Sequence, residues 1–228
     1  MVAQEYIRPI VIGIHGKSAS GKDTLASYLH NEILRLSDEL YPTGSEIFIM
    51  KVAFADAVRA GVGEMFDIDQ DDFHDRELKD SKIEWLGMSP TEILQTVGQA
   101  MREANPDTWI AVVRRKIKAK CNDIKDYDMK NTPNLVVIVP DVRYSNEVDF
   151  IKSFFAEDKS PSNVMIWIKR EDQAEVSRRA DHISERAIED EYMKARADVV
   201  VTNRRDDMEA LKGVAKTIVD VYVRSLIQ

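Results

Sequence analysis

The chain alternates short apolar runs with longer stretches in which apolar residues recur every three or four positions. Ile10-Val-Ile-Gly-Ile14 and Leu135-Val-Val-Ile-Val139 are apolar runs typical of strands that are buried on both faces of a parallel sheet. Residues 47–53, 164–168 and 197–203 predict three further strands. Five strands separated by helical stretches predict a three-layer α/β fold, in which helices flank a mainly parallel five-stranded sheet.

Several local signals mark the predicted helices. An apolar stripe with helical spacing runs over residues 23–36. Ser89-Pro-Thr-Glu92 is a capping box with proline at the first helical position, and Asp206 or Asp207 caps a long final helix. Residues 67–82 are acidic, but they lack the glycine and the terminal glutamate of a calcium-binding loop. We therefore interpret them as a solvated excursion.

The first strand leads into Gly16-Lys-Ser-Ala-Ser-Gly-Lys-Asp-Thr24, which fits the phosphate-loop pattern G-x-x-x-x-G-K and departs from it at Asp23, where Ser or Thr is usual. Glycines permit the tight backbone angles at which successive N–H groups converge on one point, and the following helix adds its positive end. Lys22 would reach the outer phosphates as a point charge. The alternative is an ordinary glycine-rich turn with Lys17 and Lys22 merely solvated. The candidates for phosphate binding are Gly16, Lys17, Ser20, Gly21, Lys22, Asp23 and Thr24.

Asp141 and Arg143 follow the most apolar strand, where Pro140 suits a turn, and Asp56 and Arg170 follow two others. The carboxyl ends of parallel strands form the rim at which ligands bind, so these side chains would lie near the phosphate loop. An acid in this place is where a phosphate-loop enzyme commonly keeps its magnesium-linked carboxylate, and Arg143 would neutralise phosphate charge. The alternative is a loop before a helix with an internal Asp–Arg pair.

Arg178 and Arg179 lie in a polar segment that we expect to be helical over about residues 170–190. Paired arginines on a mobile segment are one way to cover a transferring phosphoryl group and exclude water. The alternative is a solvated helix with internal ion pairs.

Arg102 lies on the helix that the capping box begins, together with Gln95 and Gly98. A helix arginine is usually a surface residue. Polar residues on one turn of an otherwise apolar helix nevertheless suggest a face that meets something polar.

Composition narrows the classes of function. The formal net charge of −8 argues against general binding to nucleic acid or an anionic membrane, because such binding needs a basic surface. The single cysteine, Cys121, excludes an internal disulfide and fits a reducing compartment. No apolar run approaches the roughly 20 residues that span a bilayer, and no secretory signal is present. We expect a soluble cytoplasmic protein of one domain, or one domain with an insertion.

Five groups of residues together carry a family resemblance. They are the phosphate loop, Phe54-Ala-Asp56, Leu94-Gln-Thr-Val-Gly98 with Arg102 and Asp107-x-Trp109, Asp141-Val-Arg143 with Asn146-Glu147, and Asp181-His-Ile-Ser-Glu185. In this order, over about residues 10–203, the chain resembles the deoxynucleoside monophosphate kinases of tailed bacteriophages, in the P-loop NTPase superfamily. The Gly-Lys-Asp-Thr variant of the loop is similar to the one in that family.

The resemblance implies transfer of the γ-phosphoryl group of ATP to a 2′-deoxynucleoside 5′-monophosphate, with Mg²⁺ as cofactor. It implies one P-loop kinase domain over residues 1–228, with a substrate-binding insertion at about residues 67–120 and a lid-like segment at about residues 170–190. Family members are often broad across bases and work as dimers. A phage-encoded member would act in the host cytoplasm.

Roles on the donor side follow from the same resemblance. Lys22 and the backbone N–H groups of the loop would hold the ATP phosphates. Asp23 and Thr24 are candidates for magnesium, directly or through water. Arg178 and Arg179 are candidates for the closing lid.

On the acceptor side, Arg102 and Arg143 are candidates for binding the acceptor phosphate. Asp141 and Glu147 would orient the arginines or contact the sugar. The candidates for the base pocket are Asp56, Gln95 and Trp109.

Two other functions stay open. Phosphomevalonate kinases of animals carry a similar Gly-Lys-Asp loop, so a small kinase with another phosphorylated acceptor is the first alternative. The Leu-Gln-x-x-Gly and His-Ile-Ser-Glu strings favour the nucleotide enzyme. A non-catalytic nucleotide-binding switch is the second, although the Asn-Lys-x-Asp guanine motif of a GTP switch does not occur in the sequence.

Overall fold

The computed structural model describes residues 7, 9–42, 47–75, 77–125, 134–154, 163–171, 191–204 and 207–227. Its strands are β1 Ile10–His15, β2 Ile47–Lys51, β3 Asn134–Val142, β4 Asn163–Arg170 and β5 Val199–Asn203. Its helices are α1 Lys22–Leu40, α2 Phe54–Phe66, α3 Pro90–Ala104, α4 Thr108–Lys125, α5 Ser145–Ser153, α6 Glu191–Ala195, α7 Met208–Ile218 and, after a π-helical turn at Val219–Val223, α8 Arg224–Ile227. Within these ranges, no helix is both long and apolar enough to cross a bilayer.

The described residues group into two compact units. The larger unit comprises the residues up to Val52 and from Lys116 onward, and it contains the sheet. The smaller unit, Ala53–Arg115, contains α2 and α3. The insertion predicted at about residues 67–120 falls mostly within the smaller unit, and its role in substrate binding stays a prediction.

The described strands form one sheet in the order β2-β3-β1-β4-β5, and every pairing is parallel. The α/β fold with a five-stranded parallel sheet is therefore confirmed. All six residues of the central strand β1 are buried. The strand order reverses beside β1, and open α/β sheets bind ligands outside the carboxyl ends of their strands at such a point. The phosphate loop leaves the sheet there.

Helices pack on both faces of this sheet. On one face, α1 and the C-terminal helices cover β1, β3 and β4, and Leu25, Leu29 and Ile33 are fully buried. Burial of each such side chain contributes roughly 1.5–3 kcal/mol. On the other face, Ile151 of α5 lies so close to Gly13 of β1 that a Cβ on the glycine would be 3.2 Å from it. The apolar stripe predicted after the first strand is the buried face of α1.

The turn predicted at Pro140 is wrong, because β3 continues through this residue. The partners of β3 shift by one residue between Gly13 and His15 of β1, so Pro140 lies at a β-bulge. Proline has no N–H group for the ladder, and within sheets it is largely confined to edges and bulges. Asp141 consequently belongs to the end of the strand rather than to the loop after it.

The two capping signals act as the sequence indicates. Ser89 Oγ accepts the N–H of Glu92 at 3.3 Å, and Glu92 Oε2 accepts the N–H of Ser89 at 2.8 Å, so the capping box that starts α3 is confirmed. Of the two candidates for the final helix, the structure shows Asp207 in this role, because its Oδ1 accepts the N–H of Ala210 at 3.0 Å.

The acidic stretch in the smaller unit forms two short 3-10 turns, Asp71–Phe73 and Leu78–Asp80. Asp75 joins them, since its Oδ1 accepts the N–H groups of Glu77 and Leu78, each at 2.8 Å. These backbone hydrogen bonds favour the charged carboxylate and lower the pKa of Asp75. The Asp75 carboxylate thus stabilises the turn between the two 3-10 segments.

A network of charged side chains joins α1 to the C-terminal helices. Arg224 donates to both carboxylate oxygens of Glu39, at 2.8 and 2.9 Å. Arg35 contacts Glu39 at 3.1 Å and Asp220 at 3.8 Å, and Lys216 pairs with Asp220. The hydrogen bonds from Arg224 lower the pKa of the Glu39 carboxyl, and the bond from Lys216 lowers that of Asp220.

Replacing Arg224 with Gln should lower the midpoint of thermal unfolding by a few degrees at most, because exposed ion pairs contribute little and salt screens them. Both carboxyl pKa values are lowered, so the network stabilises fully above the ordinary carboxyl pKa and loses its effect as the pH falls through the lowered values. Thermal unfolding of both proteins should therefore converge only when the pH lies below those lowered pKa values.

The matched control is Lys212→Gln on α7, because Lys212 is exposed and has no ion partner within the described ranges. It should leave the midpoint unchanged at every pH. A difference between Arg224→Gln and the unaltered chain that persists in acid would contradict the electrostatic origin of the effect.

Candidate active site

The loop between β1 and α1 depends on two glycines. A Cβ on Gly16 would lie 2.2 Å from the carbonyl oxygen of Ile168, so no side chain fits there. Gly21 has a φ of 98°, and a Cβ on it would lie 2.4 Å from Nδ2 of Asn203. Only glycine reaches this backbone region without strain and also leaves the space open. The two glycines of the sequence pattern are thus required for different reasons. Gly16 has no space for a side chain, and Gly21 also has a left-handed backbone.

The ammonium group of Lys22 lies against the loop backbone. Its Nζ donates to the carbonyl oxygens of Gly16 at 2.6 Å and Lys17 at 2.7 Å. A charged donor makes stronger hydrogen bonds than a neutral one. The structure therefore holds Lys22 as a point charge against the loop backbone, and its contact with phosphate stays a prediction.

Side chains from two neighbouring strands hold the outer part of the loop. Asn203, at the end of β5, donates from Nδ2 to the Ser20 carbonyl oxygen at 2.9 Å. Arg170, at the end of β4, donates from Nη1 to the Ala19 carbonyl oxygen at 3.3 Å. Ala19 has a φ of 59°, which a non-glycine residue adopts rarely and at an energetic cost. Distant parts of the chain thus stabilise a strained backbone.

Ser20 shapes the loop from within. Its hydroxyl is fully buried and has no hydrogen-bond partner among the described residues. Its N–H donates to the carbonyl of Lys17 at 3.2 Å. A Cβ on Gly16 would lie 2.9 Å from Ser20 Oγ, so the hydroxyl lies against the backbone. This placement is structural, and a role of Ser20 as a phosphate ligand stays a prediction.

A cavity of about 360 Å³ opens beside the loop. Its charged lining groups are three cations, Lys22, Arg170 and Arg204, and one carboxylate, Asp23. In a chain with a net charge of −8, this local excess of positive charge favours an anionic ligand. The lining residues are Ala19, Gly21, Lys22, Asp23, Thr24, Arg170, Asn203, Arg204 and Met208.

Sequence reasoning missed Asn203, Arg204 and Met208 as parts of this cavity. Asn203 ends β5 and the other two follow it, and the fold places this strand two strands from β1. The available signal was weak: a polar residue at the end of an apolar strand lies at the rim of a parallel sheet. Nothing in the spacing indicated that this end of β5 reaches the phosphate loop.

The segment after β3 is held by a buried carboxylate. Oε2 of Glu147 accepts the N–H groups of Arg143 at 2.7 Å and Tyr144 at 3.1 Å. Glu147 is fully buried, and its carboxylate binds the N–H of Tyr144, the residue that precedes α5. It fixes the backbone from which the Arg143 side chain extends, next to Asp141 at the end of β3. Of the two roles expected for Glu147, its burial favours orienting the arginine over contact with a sugar.

No protein-family model matches the chain. A protein of Acanthamoeba polyphaga mimivirus, named as an inferred deoxynucleotide monophosphate kinase, is 33% identical to it over 147 residues, which are 63% of this chain and 68% of that protein. The chain belongs to the deoxynucleotide monophosphate kinase family. It is therefore a P-loop kinase. The phage source that the sequence suggested stays a prediction.

Among solved structures, this kinase matches shikimate kinase from Acinetobacter baumannii in complex with shikimate. The match covers 96% of both chains, with 10% sequence identity and a TM-score of 0.43. A similarity this low supports no conclusion about the substrate or the site. The strand order and the geometry of the phosphate loop define the fold.

In the smaller unit of this kinase, Asp56 caps α2. Its Oδ2 accepts the N–H of Ala53 at 2.8 Å, and its Oδ1 pairs with Arg59 at 3.1 Å. Trp109 is only 8% exposed, and its indole N–H donates to the Gly98 carbonyl at 3.3 Å. Both residues have structural roles here, so their part in a base pocket stays a prediction.

Gln95 and Arg102 lie two turns apart on α3, and Gly98 lies between them on the same side of the helix. All three are half-buried, and among the described residues a Cβ on Gly98 would meet only Val58, at 3.9 Å. The structure thus forms the helix side on which they were predicted, and ligand binding there stays a prediction. The predicted lid arginines, Arg178 and Arg179, lie outside the described residues.

A magnesium ion in this kinase would be held by few protein groups. Within the described ranges, no three His, Cys, Asp or Glu side chains gather into a metal site. Mg²⁺ usually takes one or two protein oxygen ligands together with substrate phosphates. The Asp23 carboxylate and the Thr24 hydroxyl lie in the first turn of α1 and line the cavity, so they fit this requirement.

Cys121 lies on α4 and is 5% exposed. Burial disfavours the thiolate and raises the pKa of its thiol. A protonated, covered thiol is a poor nucleophile. Its position therefore argues against a role for Cys121 as a nucleophile.

Replacing Gly21 with Ala should weaken ATP binding about tenfold, because a left-handed backbone costs roughly 1–2 kcal/mol for a residue with a Cβ and Asn203 fills the space. Isothermal titration calorimetry measures the affinity. The control is Gly213→Ala in α7, where no described residue lies within 4 Å of an added Cβ. It should raise the unfolding free energy by up to about 1 kcal/mol without changing ATP affinity. Equal ATP affinity in Gly21→Ala would contradict the role of this backbone.

Proposed function

We propose that this kinase transfers the γ-phosphoryl group of ATP to a deoxynucleoside 5′-monophosphate, yielding ADP and a deoxynucleoside diphosphate. The observation that carries the proposal is the phosphate loop, with the Lys22 ammonium held against its backbone and an electropositive cavity beside it. Membership of the family supports the nucleotide acceptor, since the viral relative is named for that substrate class.

The donor nucleotide is proposed to place its phosphates in the loop and its nucleoside in the cavity. A volume of about 360 Å³ lies within the usual range for small-molecule sites. Arg170 and Arg204 offer planar guanidinium groups, which stack on flat rings as well as pairing with phosphate. Met208 adds an adaptable apolar contact. A base with an attached sugar and an anionic tail suits this combination.

The transfer step needs no strong general base in this proposal. The phosphate of a deoxynucleoside monophosphate already carries an ionised oxygen, which attacks the γ-phosphorus of ATP. The bond from that phosphorus to the bridging oxygen breaks, and ADP leaves with the electron pair. Charge in such a loose transition state lies on the oxygens, so positioning and cations supply most of the catalysis.

Three side chains are proposed to supply those cations. Lys22 contacts the transferring phosphoryl group, and Arg143 binds the acceptor phosphate from a backbone that Glu147 fixes. Arg102 is the second candidate for the acceptor phosphate. When bound, Mg²⁺ neutralises charge on the β- and γ-phosphate oxygens. Asp23 and Thr24 would hold it and thereby orient the donor.

A coupled assay of ADP release tests the reaction. ATP and Mg²⁺ are supplied with dAMP, dGMP, dCMP or dTMP, and then with the matching ribonucleotides. We expect turnover that depends on a deoxynucleotide. Turnover that depends instead on a different phosphorylated metabolite would show that the acceptor is not a deoxynucleotide. Slow ATP turnover that no monophosphate stimulates would support a nucleotide-binding switch instead.

In the same assay, Lys22→Ala should lower kcat on the order of 100-fold or more, because it removes a cation at the transferring group. Lys212→Ala is the matched control and should keep full activity. Circular dichroism checks that both variants stay folded. Near-normal transfer by Lys22→Ala would contradict the proposed phosphate loop.

Arg143→Ala should raise the KM for the acceptor or lower kcat on the order of tenfold, because a charge-assisted contact is lost. The KM for ATP should change little. Arg115→Ala, an exposed arginine of α4, serves as the control and should behave like the unaltered chain. A change confined to the KM for ATP would show that Arg143 binds the donor nucleotide and not the acceptor.

A further inference from the structure

Asn203 joins the end of β5 to the phosphate loop. Its Nδ2 donates to the Ser20 carbonyl oxygen at 2.9 Å, across 183 residues of sequence. The same nitrogen occupies the space that a side chain on Gly21 would need. The Asn203 carbonyl accepts the N–H of Glu171 at 3.0 Å, which ties this strand end to the residue after β4. Asn203 is thus fixed on one side and holds the loop on the other.

The bond to Ser20 has a directional consequence. A peptide group is planar and trans, so the carbonyl of one residue and the N–H of the next point in opposite directions. A donor that holds the Ser20 carbonyl therefore sets the direction of the Gly21 N–H. Arg170 acts in the same way on the Ala19 carbonyl, at 3.3 Å.

Both bonds act on the strained part of the loop. Ala19 and Gly21 have φ values of 59° and 98°, and such backbone persists only where the surroundings enforce it. The Gly21 N–H opens the first turn of α1, the part of a phosphate loop whose N–H groups face the ligand. Loss of the Asn203 donor would therefore release the N–H groups that the phosphates need.

We infer that Asn203 is a positioning residue, which orients the phosphate loop to bind the donor phosphates. The inference rests on the proposed function, in which this loop binds ATP. Asn203 acts through Ser20 and need not touch the nucleotide. Because Asn203 also lines the cavity, direct contact with the donor nucleoside is the competing explanation. A ligand without a nucleoside separates the two.

Inorganic tripolyphosphate is that ligand, since it carries the phosphates of ATP alone. Calorimetry on the full chain with Mg²⁺ compares tripolyphosphate and ATP for Asn203→Ala and Asn203→Asp. Both variants should bind tripolyphosphate about tenfold more weakly, with a similar factor for ATP, because each loses the donor to Ser20. The aspartate should be the weaker binder, because it adds a negative charge near the phosphates. The aspartate side chain has nearly the same shape as asparagine. The Asn203→Asp variant therefore still tests the inference if Asn203→Ala does not fold.

Asn163 offers a matched structural control at the opposite end of the sheet. Its Nδ2 donates to the Phe154 carbonyl at 2.7 Å, and its Oδ1 accepts the N–H of Val11 at 3.0 Å. Asn163→Ala also removes a carboxamide that binds distant backbone, and it should lower the thermal midpoint. Its affinity for tripolyphosphate should equal that of the unaltered chain.

Steady-state kinetics give a second readout. The Asn203 variants should raise the KM for ATP while the KM for the acceptor stays constant. A tenfold loss for ATP with unchanged tripolyphosphate affinity would assign Asn203 to nucleoside contact and overturn the inference. Unchanged affinity for both ligands would overturn it as well.

The two proposals fail in different ways. If the unaltered chain binds neither ATP nor tripolyphosphate, the proposed function fails and the inference fails with it. If both ligands bind and weaken in the Asn203 variants, but no deoxynucleotide accepts a phosphoryl group, the inference stands and only the acceptor is refuted.

Discussion

The phosphate loop takes its shape from hydrogen bonds between its carbonyl groups and side-chain donors outside the turn. Lys22 holds the first two carbonyls, while Arg170 and Asn203 hold those of Ala19 and Ser20. Because peptide groups are trans, each held carbonyl directs the next N–H to the other side of the chain. The positive φ values in the loop carry a conformational cost, and the hydrogen bonds from these side chains offset that cost.

The loop therefore depends on the packing of the whole larger unit. Arg170 and Asn203 reach it because β4 and β5 continue beyond the position of His15, the last residue of β1, which pairs with Trp167. Burial beneath α1 and the C-terminal helices places these strands. The charged network at Glu39 and Arg224 joins the same helices at the surface. Core packing determines where the donors lie, and the donors determine the direction of the N–H groups.

Electrostatics separates the candidate site from the rest of the surface. The chain is acidic overall, yet Lys22, Arg170 and Arg204 line one cavity with a single carboxylate. Such a local concentration of positive charge attracts anionic groups such as phosphates. At the end of β3, the buried Glu147 carboxylate accepts the backbone N–H groups of Arg143 and Tyr144, so it fixes the backbone there.

The sequence by itself determined the α/β class, the strands, the phosphate loop and the capping box at Ser89, because apolar periodicity, glycine spacing and cap residues act over a few neighbouring positions. It misplaced Pro140, because whether a proline ends a strand or makes a bulge depends on the partner strand. Only the tertiary structure decided that Asn203, Arg204 and Met208 line the cavity. The contact from Asn203 to Ser20 spans 183 residues, and packing between strands, not a local pattern, creates a contact over that distance.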